Sequence, residues 1–240
     1  MNYYKLRRRQ GNKLTEWFRN RTIVGWLIII NVVAFIAELI AYFISEKSFE
    51  YIALKPETIL QGQNLWTLLT HMFVHDPTPS NLFMHLIINM IVLYSLGNLC
   101  EKIIGKKRFF WFYILSGLFA GILSVVLAGF FGTTAIGARI FGSPDIFMVG
   151  ASGAIFAIAG LYVILLPRLK FMIIFLPFFS LPAYVMIPLV LFGVWLITIA
   201  TGAPIGNVAH FGGFLAGIIY GIYLRKKYKR KIIALQRMFR

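Results

Sequence analysis

The chain has 240 residues, of which 59% are hydrophobic and 13% charged, against about 25% charged in a soluble domain. This excludes a water-soluble globular fold, and several apolar runs reach the ~18–20 residues that span a bilayer. The net charge of +16 does not read as a nucleic-acid footprint, because the Lys and Arg residues cluster at the ends of apolar segments, as membrane topology demands.

Residues 1–22 form a basic segment. It does not look like a cleaved signal peptide, since the apolar run that follows has no small-residue cleavage site at its end. Six helices are expected, at about Ile23–Ile44, Leu82–Glu101, Phe109–Phe131, Ile146–Leu166, Ala183–Thr201 and Asn207–Leu224. Together they make residues 23–224 a six-helix, all-α polytopic membrane domain, followed by a basic tail at 225–240. Lys170–Pro182 is apolar but broken by Pro177 and Pro182, and is read as an interfacial lead-in to the fifth helix. The N-terminus, the 102–108 and 167–170 turns and the tail hold 21 Lys and Arg, whereas the opposite side holds Lys47, Lys55 and Arg139. The asymmetry predicts a multi-pass protein of the cell membrane with both termini in the cytoplasm. The basic tail also suits contact with anionic lipid. The external loops are 45–81 and 132–145. The first of these contains QNLWTLLTHMFVHDPTPSN (Gln63–Asn81), which mixes aromatics, two histidines and two prolines, and is either interfacial or functional. The single cysteine, Cys100, excludes an intrachain disulfide and reads as a packing residue.

Polar groups within a bilayer are expensive, so each one needs a reason. His85 and Asn89 are four apart and share one face of the second helix. Ser152 sits in GASG, Gly150–Gly153. His210 opens the sixth helix, and Gly213, Gly217 and Gly221 follow on its face, a stripe that lets a neighbouring helix approach closely. Counting 1.5 Å per residue from the basic turns places Ser152 and His210 about 22 Å above the inner boundary, with His85 and Asn89 bracketing that depth. In a core of roughly 30 Å, four polar side chains from three helices fall in one layer.

A serine level with a histidine suggests a nucleophile with its base. None of the eight acids lies on the helix of His210, so a Ser152–His210 dyad is simpler than a triad. His85, Asn89 and the Ser152 N–H are the candidate oxyanion donors. Gly150, Gly153, Gly213 and Gly217 serve helix packing. No cofactor or metal is expected: there is no HExxH, and a zinc site built on His71, His75, His85 and His210 lacks a motif to support it. A small-molecule transporter is the reading composition alone would permit, but no inverted repeat is visible. Glu38, an acid in the outer part of the first helix, is assigned a structural contact with the first loop or a neighbouring helix.

GASG, HLIIN (His85–Asn89) and AHFGGFLAG (Ala209–Gly217) resemble the GxSG, HxxxN and AHxxGxxxG motifs of the rhomboid family of intramembrane serine proteases. The resemblance covers nearly all the chain after its basic N-terminus. It implies a short catalytic helix that starts below the outer surface, a cavity open to the outside, and cleavage of single-span or other membrane proteins; an inactive rhomboid-like protein that binds membrane segments is the alternative within the family. Three departures stand out. Trp66-Thr67 replaces a common Trp-Arg, Phe156 replaces a common tyrosine against the histidine ring, and the His75–His85 segment is long, with DPTPSN inside it.

Overall fold

The computed structural model describes residues 21–77, 83–173, 176–203 and 205–239. The basic N-terminal segment up to residue 20 and most of the DPTPSN stretch therefore lie outside the described residues.

The first long helix, α1 (Ile23–Ile44), coincides with its apolar run. Its free first-turn N–H groups meet two acceptors: the Thr22 hydroxyl takes Gly25 N–H at 3.0 Å and the Glu101 carboxylate takes Val24 N–H at 3.0 Å. The loop after α1 holds a 3-10 turn (Glu46–Tyr51), the short helices α2 (Pro56–Leu60) and α3 (Thr67–Thr70), and a second 3-10 turn, His71–Phe73. The chain continues through α4 (Met84–Ile104), α5 (Lys106–Phe131), α6 (Ala135–Phe141), α7 (Ser152–Leu165), the strands β1 (Lys170–Ile173) and β2 (Leu176–Pro182), α8 (Ala183–Thr201), α9 (Asn207–Lys227) and α10 (Lys229–Arg237).

Among the described residues, five helices are long and apolar enough to cross a membrane: α1, α4, α5, α8 and α9. The expected fourth span corresponds to α7, which has 14 residues and is about 21 Å long, less than the ~30 Å hydrocarbon core. Most of its residues are buried, as befits a helix apolar on nearly every side, and the longer helices pack around it.

Several boundaries move for identifiable reasons. The helix expected from Ile146 starts six residues later. Met148 instead pairs its backbone with Leu54 (N···O 3.1 and 2.7 Å), and Gly150 adopts φ +110°. Helices α5 and α9 extend through basic clusters expected outside them, Lys106–Arg108 in the 102–108 turn and Arg225–Lys227 at the start of the tail. Apolar content marks the lipid boundary rather than the helix end, and cations suit the last turn of α9. The Lys170–Pro182 segment is a two-stranded antiparallel hairpin, with Lys170 opposite Pro182 and Phe171 opposite Leu181. Among the described residues it is the one pair of strands in an otherwise helical chain.

One end of the bundle gathers the basic segments. Lys106 Nζ donates to the Arg21 carbonyl at 2.9 Å, Arg108 donates to the Tyr228 hydroxyl at 3.0 Å, and Gln236 of α10 donates to the Leu165 carbonyl at the end of α7. The first loop covers the opposite end. There Glu57 N–H donates to the Pro144 carbonyl and the Trp195 indole to the Ile140 carbonyl. Cys100 is fully buried.

Candidate active site

Ser152 is the first residue of α7. Helix geometry leaves the first-turn N–H groups without intrahelical acceptors and gives that end of the helix a positive dipole. Just upstream the chain is extended, and it is fastened to the first loop by the Leu54–Met148 pairing and by Gly150 N–H donating to the His71 carbonyl at 2.9 Å. Gly150 makes the corner in the left-handed region, where a side chain is strained. A Cβ there would stand 2.8 Å from His85 Nε2. The glycine thus serves both the turn and the close approach of the His85 ring.

His210 lies in the first turn of α9, and its Nε2 is 2.9 Å from Ser152 Oγ. With the imidazole neutral and its proton on Nδ1, the hydroxyl is the donor and the Nε2 lone pair the acceptor. Among the described residues Nδ1 has no hydrogen-bond partner, so no carboxylate orients the ring. Orientation comes from stacking: the Phe156 ring lies 4.5 Å from the His210 ring centroid at 26°. Phe156, one helical turn after Ser152, braces the imidazole through its face and offers it no hydroxyl.

The separation of α7 and α9 is set by backbone contact. A Cβ on Gly213 would strike the Gly153 carbonyl, and one on Gly217 would strike the Ala157 carbonyl. Gly153 itself faces Ala120 of α5 and the Ala209 carbonyl of α9. No larger residue fits this seam at the spacing that puts Ser152 and His210 in contact.

His85 lies in the first turn of α4 and is half-buried. Its Nδ1 accepts the Asp76 N–H at a long 3.5 Å, which leaves the ring proton on Nε2, the nitrogen that faces Gly150. Asn89 is buried, and its amide donates to the His85 carbonyl at 2.8 Å. The structure thus brings Ser152, His210, His85 and Gly150 together, and ties Asn89 back to its own helix one turn behind His85.

Sequence reasoning left the supporting role of the first loop open. The His71 and His75 rings are buried in that loop, and burial pushes His71 down to about 4 and His75 down to about 3. The His71 ring rests on Gly121 of α5, Met72 on Gly117 and Leu60 on Gly129. The spacing of these three glycines along the third apolar run was the available signal. Glu38 accepts the His75 N–H at 3.1 Å, the loop contact expected of it. His75 lies edge-on to His85, with centroids 5.2 Å apart. At the Trp66-Thr67 departure, the Trp66 indole donates to the Tyr51 carbonyl at 2.7 Å and the Thr67 hydroxyl to the Asn64 carbonyl at 2.8 Å. The loop is therefore anchored without an arginine. Among the described residues no group of three or more His, Cys, Asp or Glu could hold a metal ion.

The family model for the Rhomboid domain matches residues 62–227, which contain His85, Asn89, Ser152 and His210. The chain belongs to the rhomboid family. This rhomboid is 29% identical over 172 residues to RHOMBOID-like protein 5 of Arabidopsis thaliana, a match covering 72% of this chain and 48% of the plant protein. It is 26% identical over 160 residues to the mitochondrial Rhomboid protein 1 of Saccharomyces cerevisiae, covering 62% and 40% respectively. The chain thus spans half or less of the length of these two relatives. The match to the rhomboid protease GlpG of Haemophilus influenzae is 25% identical over 191 residues and covers 78% of this chain and 84% of that protein.

Proposed function

We propose that this rhomboid is an intramembrane serine endopeptidase that cleaves transmembrane or membrane-proximal segments of membrane proteins, with Ser152 as nucleophile and His210 as its base. The observation that carries the reading is the 2.9 Å contact between His210 Nε2 and Ser152 Oγ at the start of a buried helix. In this mechanism Oγ attacks a peptide carbonyl and passes its proton to Nε2. The oxyanion is met by the first-turn N–H groups of α7 and by His85 Nε2–H. The tetrahedral intermediate collapses, His210 protonates the leaving amine, and a water molecule deprotonated by the same imidazole releases the acyl-enzyme. Asn89 is assigned to the same oxyanion site: one of its amide N–H groups is spent on the His85 carbonyl, and the second remains a donor for the oxyanion. The residue 23–224 region is the catalytic membrane domain, with basic flanks at 1–22 and 225–240. The charge asymmetry supports cytoplasmic termini and a site reached from the other face of the cell membrane.

The test is labelling of the purified protein with a fluorophosphonate, alongside incubation with a panel of single-span substrates. Wild type is expected to label and to cleave, and Ser152→Ala to do neither while still inserting and folding. Substrate cleavage by Ser152→Ala at the wild-type rate overturns the assignment. A wild-type protein that neither labels nor cleaves, yet retains single-span segments, favours the non-catalytic segment-binding reading instead.

A further inference from the structure

Away from the Ser152 site, a recess of about 800 Å³ opens between α5 and α9 toward the basic end of the bundle. Its origin is a change of residue size along the two helices. Nearer the site they touch through small groups, Gly212 against Ala120 and Leu123. Further along, rings replace glycine and alanine: Phe112 stacks on Tyr220 at 4.9 Å and Tyr220 on Tyr223 at 6.0 Å. This stack floors a trough walled by Trp111, Leu115 and Ile219, all more than half exposed. Ser116 adds no polarity, because its hydroxyl is spent on the Phe112 carbonyl.

The trough has one polar end, and that end is cationic. Lys107 and Arg108 line it, both exposed. Lys227 lies beside it, donating to the Tyr223 hydroxyl at 2.7 Å. The Arg108 guanidinium is held by the Tyr228 hydroxyl rather than by a carboxylate. Helices α5, α9 and α10 contain no Asp or Glu, so this cluster of Lys and Arg has no acid on any of the three helices that form it.

We propose that this trough is a binding site for an anionic diacyl phospholipid. The phosphodiester sits between Lys107 and Arg108, and an acyl chain lies along Trp111, Leu115 and Ile219 over the Phe112–Tyr220 floor. Charge complementarity selects an anionic headgroup, since basic pockets between membrane helices hold such groups. An aromatic floor that is already stacked loses little freedom when a chain lies on it. A zwitterionic lipid offers the same tail but brings its own cation to the Lys107–Arg108 end.

Trp111 is a built-in reporter. The full-length protein is placed in phosphatidylcholine nanodiscs containing a minor fraction of brominated phosphatidylglycerol or, in the control, brominated phosphatidylcholine. The Trp111 contribution is the difference from a Trp111→Phe protein. Quenching by the glycerol lipid is expected to exceed that by the choline lipid by about fivefold per basic residue engaged. Lys107→Gln with Arg108→Gln should abolish the preference. Ala216→Phe, which fills the trough and keeps both charges, should lower Trp111 quenching by the glycerol lipid to the level of the choline lipid. Equal quenching by the two lipids overturns the proposal, as does a preference that survives the double substitution. A preference lost on charge removal but with the excess quenching by the glycerol lipid intact in Ala216→Phe also overturns it, because the headgroup is then held without a chain in the trough.

Discussion

At Ser152 and His210 the arrangement depends on one hydrogen bond and one stacked ring. Two residues that share a proton-transfer step lose activity as a unit. His210→Ala is therefore expected to lose activity by several orders of magnitude, as Ser152→Ala does, and the double substitution to be scarcely worse than either. Multiplicative losses in single-turnover cleavage would separate the two residues. Gly150 is a sharper probe of geometry. Gly150→Ala strains a backbone at φ +110° and pushes its methyl into the His85 ring. A side chain in the left-handed region costs about 1–2 kcal/mol, and displacing an oxyanion donor by about 1 Å costs roughly 10²-fold in rate. The expected result is a large fall in kcat with Ser152 still labelled slowly by a fluorophosphonate. Normal turnover would show that His85 does not contribute from its observed position.

At the scale of elements, the α7–α9 seam and the first loop use the same device, a glycine facing a bulky or polar partner. Gly213 and Gly217 admit the carbonyls of Gly153 and Ala157, whereas a Cβ on Gly193 of α8 meets nothing within 4 Å. Gly213→Val should force α9 away from α7 and lower both cleavage and thermal stability. Gly193→Ala should raise the melting temperature slightly, by the ~0.5–1 kcal/mol that alanine gains over glycine in a helix. Thermal scans of both proteins check the pair, and a Gly213→Val protein as stable and active as wild type would remove the seam from the argument. On the loop side, Leu60, His71 and Met72 sit on the glycines of α5. The loop also presents exposed Leu65, Trp66 and Leu69 on its outer surface, which suits a position within the lipid interface.

For the whole molecule, the buried loop histidines couple stability to pH. His71 is lowered to about 4 and His75 to about 3 by burial, against about 6.5 in an unfolded chain. Below pH 6.5 the unfolded chain takes up protons that the folded chain refuses. Stability is therefore full above about 6.5 and falls as pH drops toward 4, by up to about 1.4 kcal/mol per pH unit for each imidazole. The melting temperature in detergent should decline steadily from neutral pH to about 5, and His75→Gln should flatten the slope. A melting temperature constant over that range would contradict the burial of these rings.

Much of this protein was legible without coordinates. Membrane residence follows from composition, because a chain this poor in charge has nowhere else to bury its surface. The bounds of α1 and α8 follow from apolar runs closed by Thr22, Pro182 and Gly202. The layer holding His85, Ser152 and His210 follows from helical rise and the positions of basic turns. Three features were not legible in the sequence, the first because tertiary contact decided it and the other two because residue spacing does not choose among local hydrogen-bond partners. Helix α7 begins at Ser152 and not at Ile146 because the Met148 and Gly150 backbones bond to Leu54 and His71, residues far away in sequence. The Lys170–Pro182 segment pairs with itself because its prolines exclude helix and leave the backbone to find cross-strand partners. The Asn89 amide turns to the His85 carbonyl, a choice among local acceptors that residue spacing does not encode. Periodicity reports which face of an element meets lipid or protein; where a backbone stops being helical depends on which distant groups offer it hydrogen bonds.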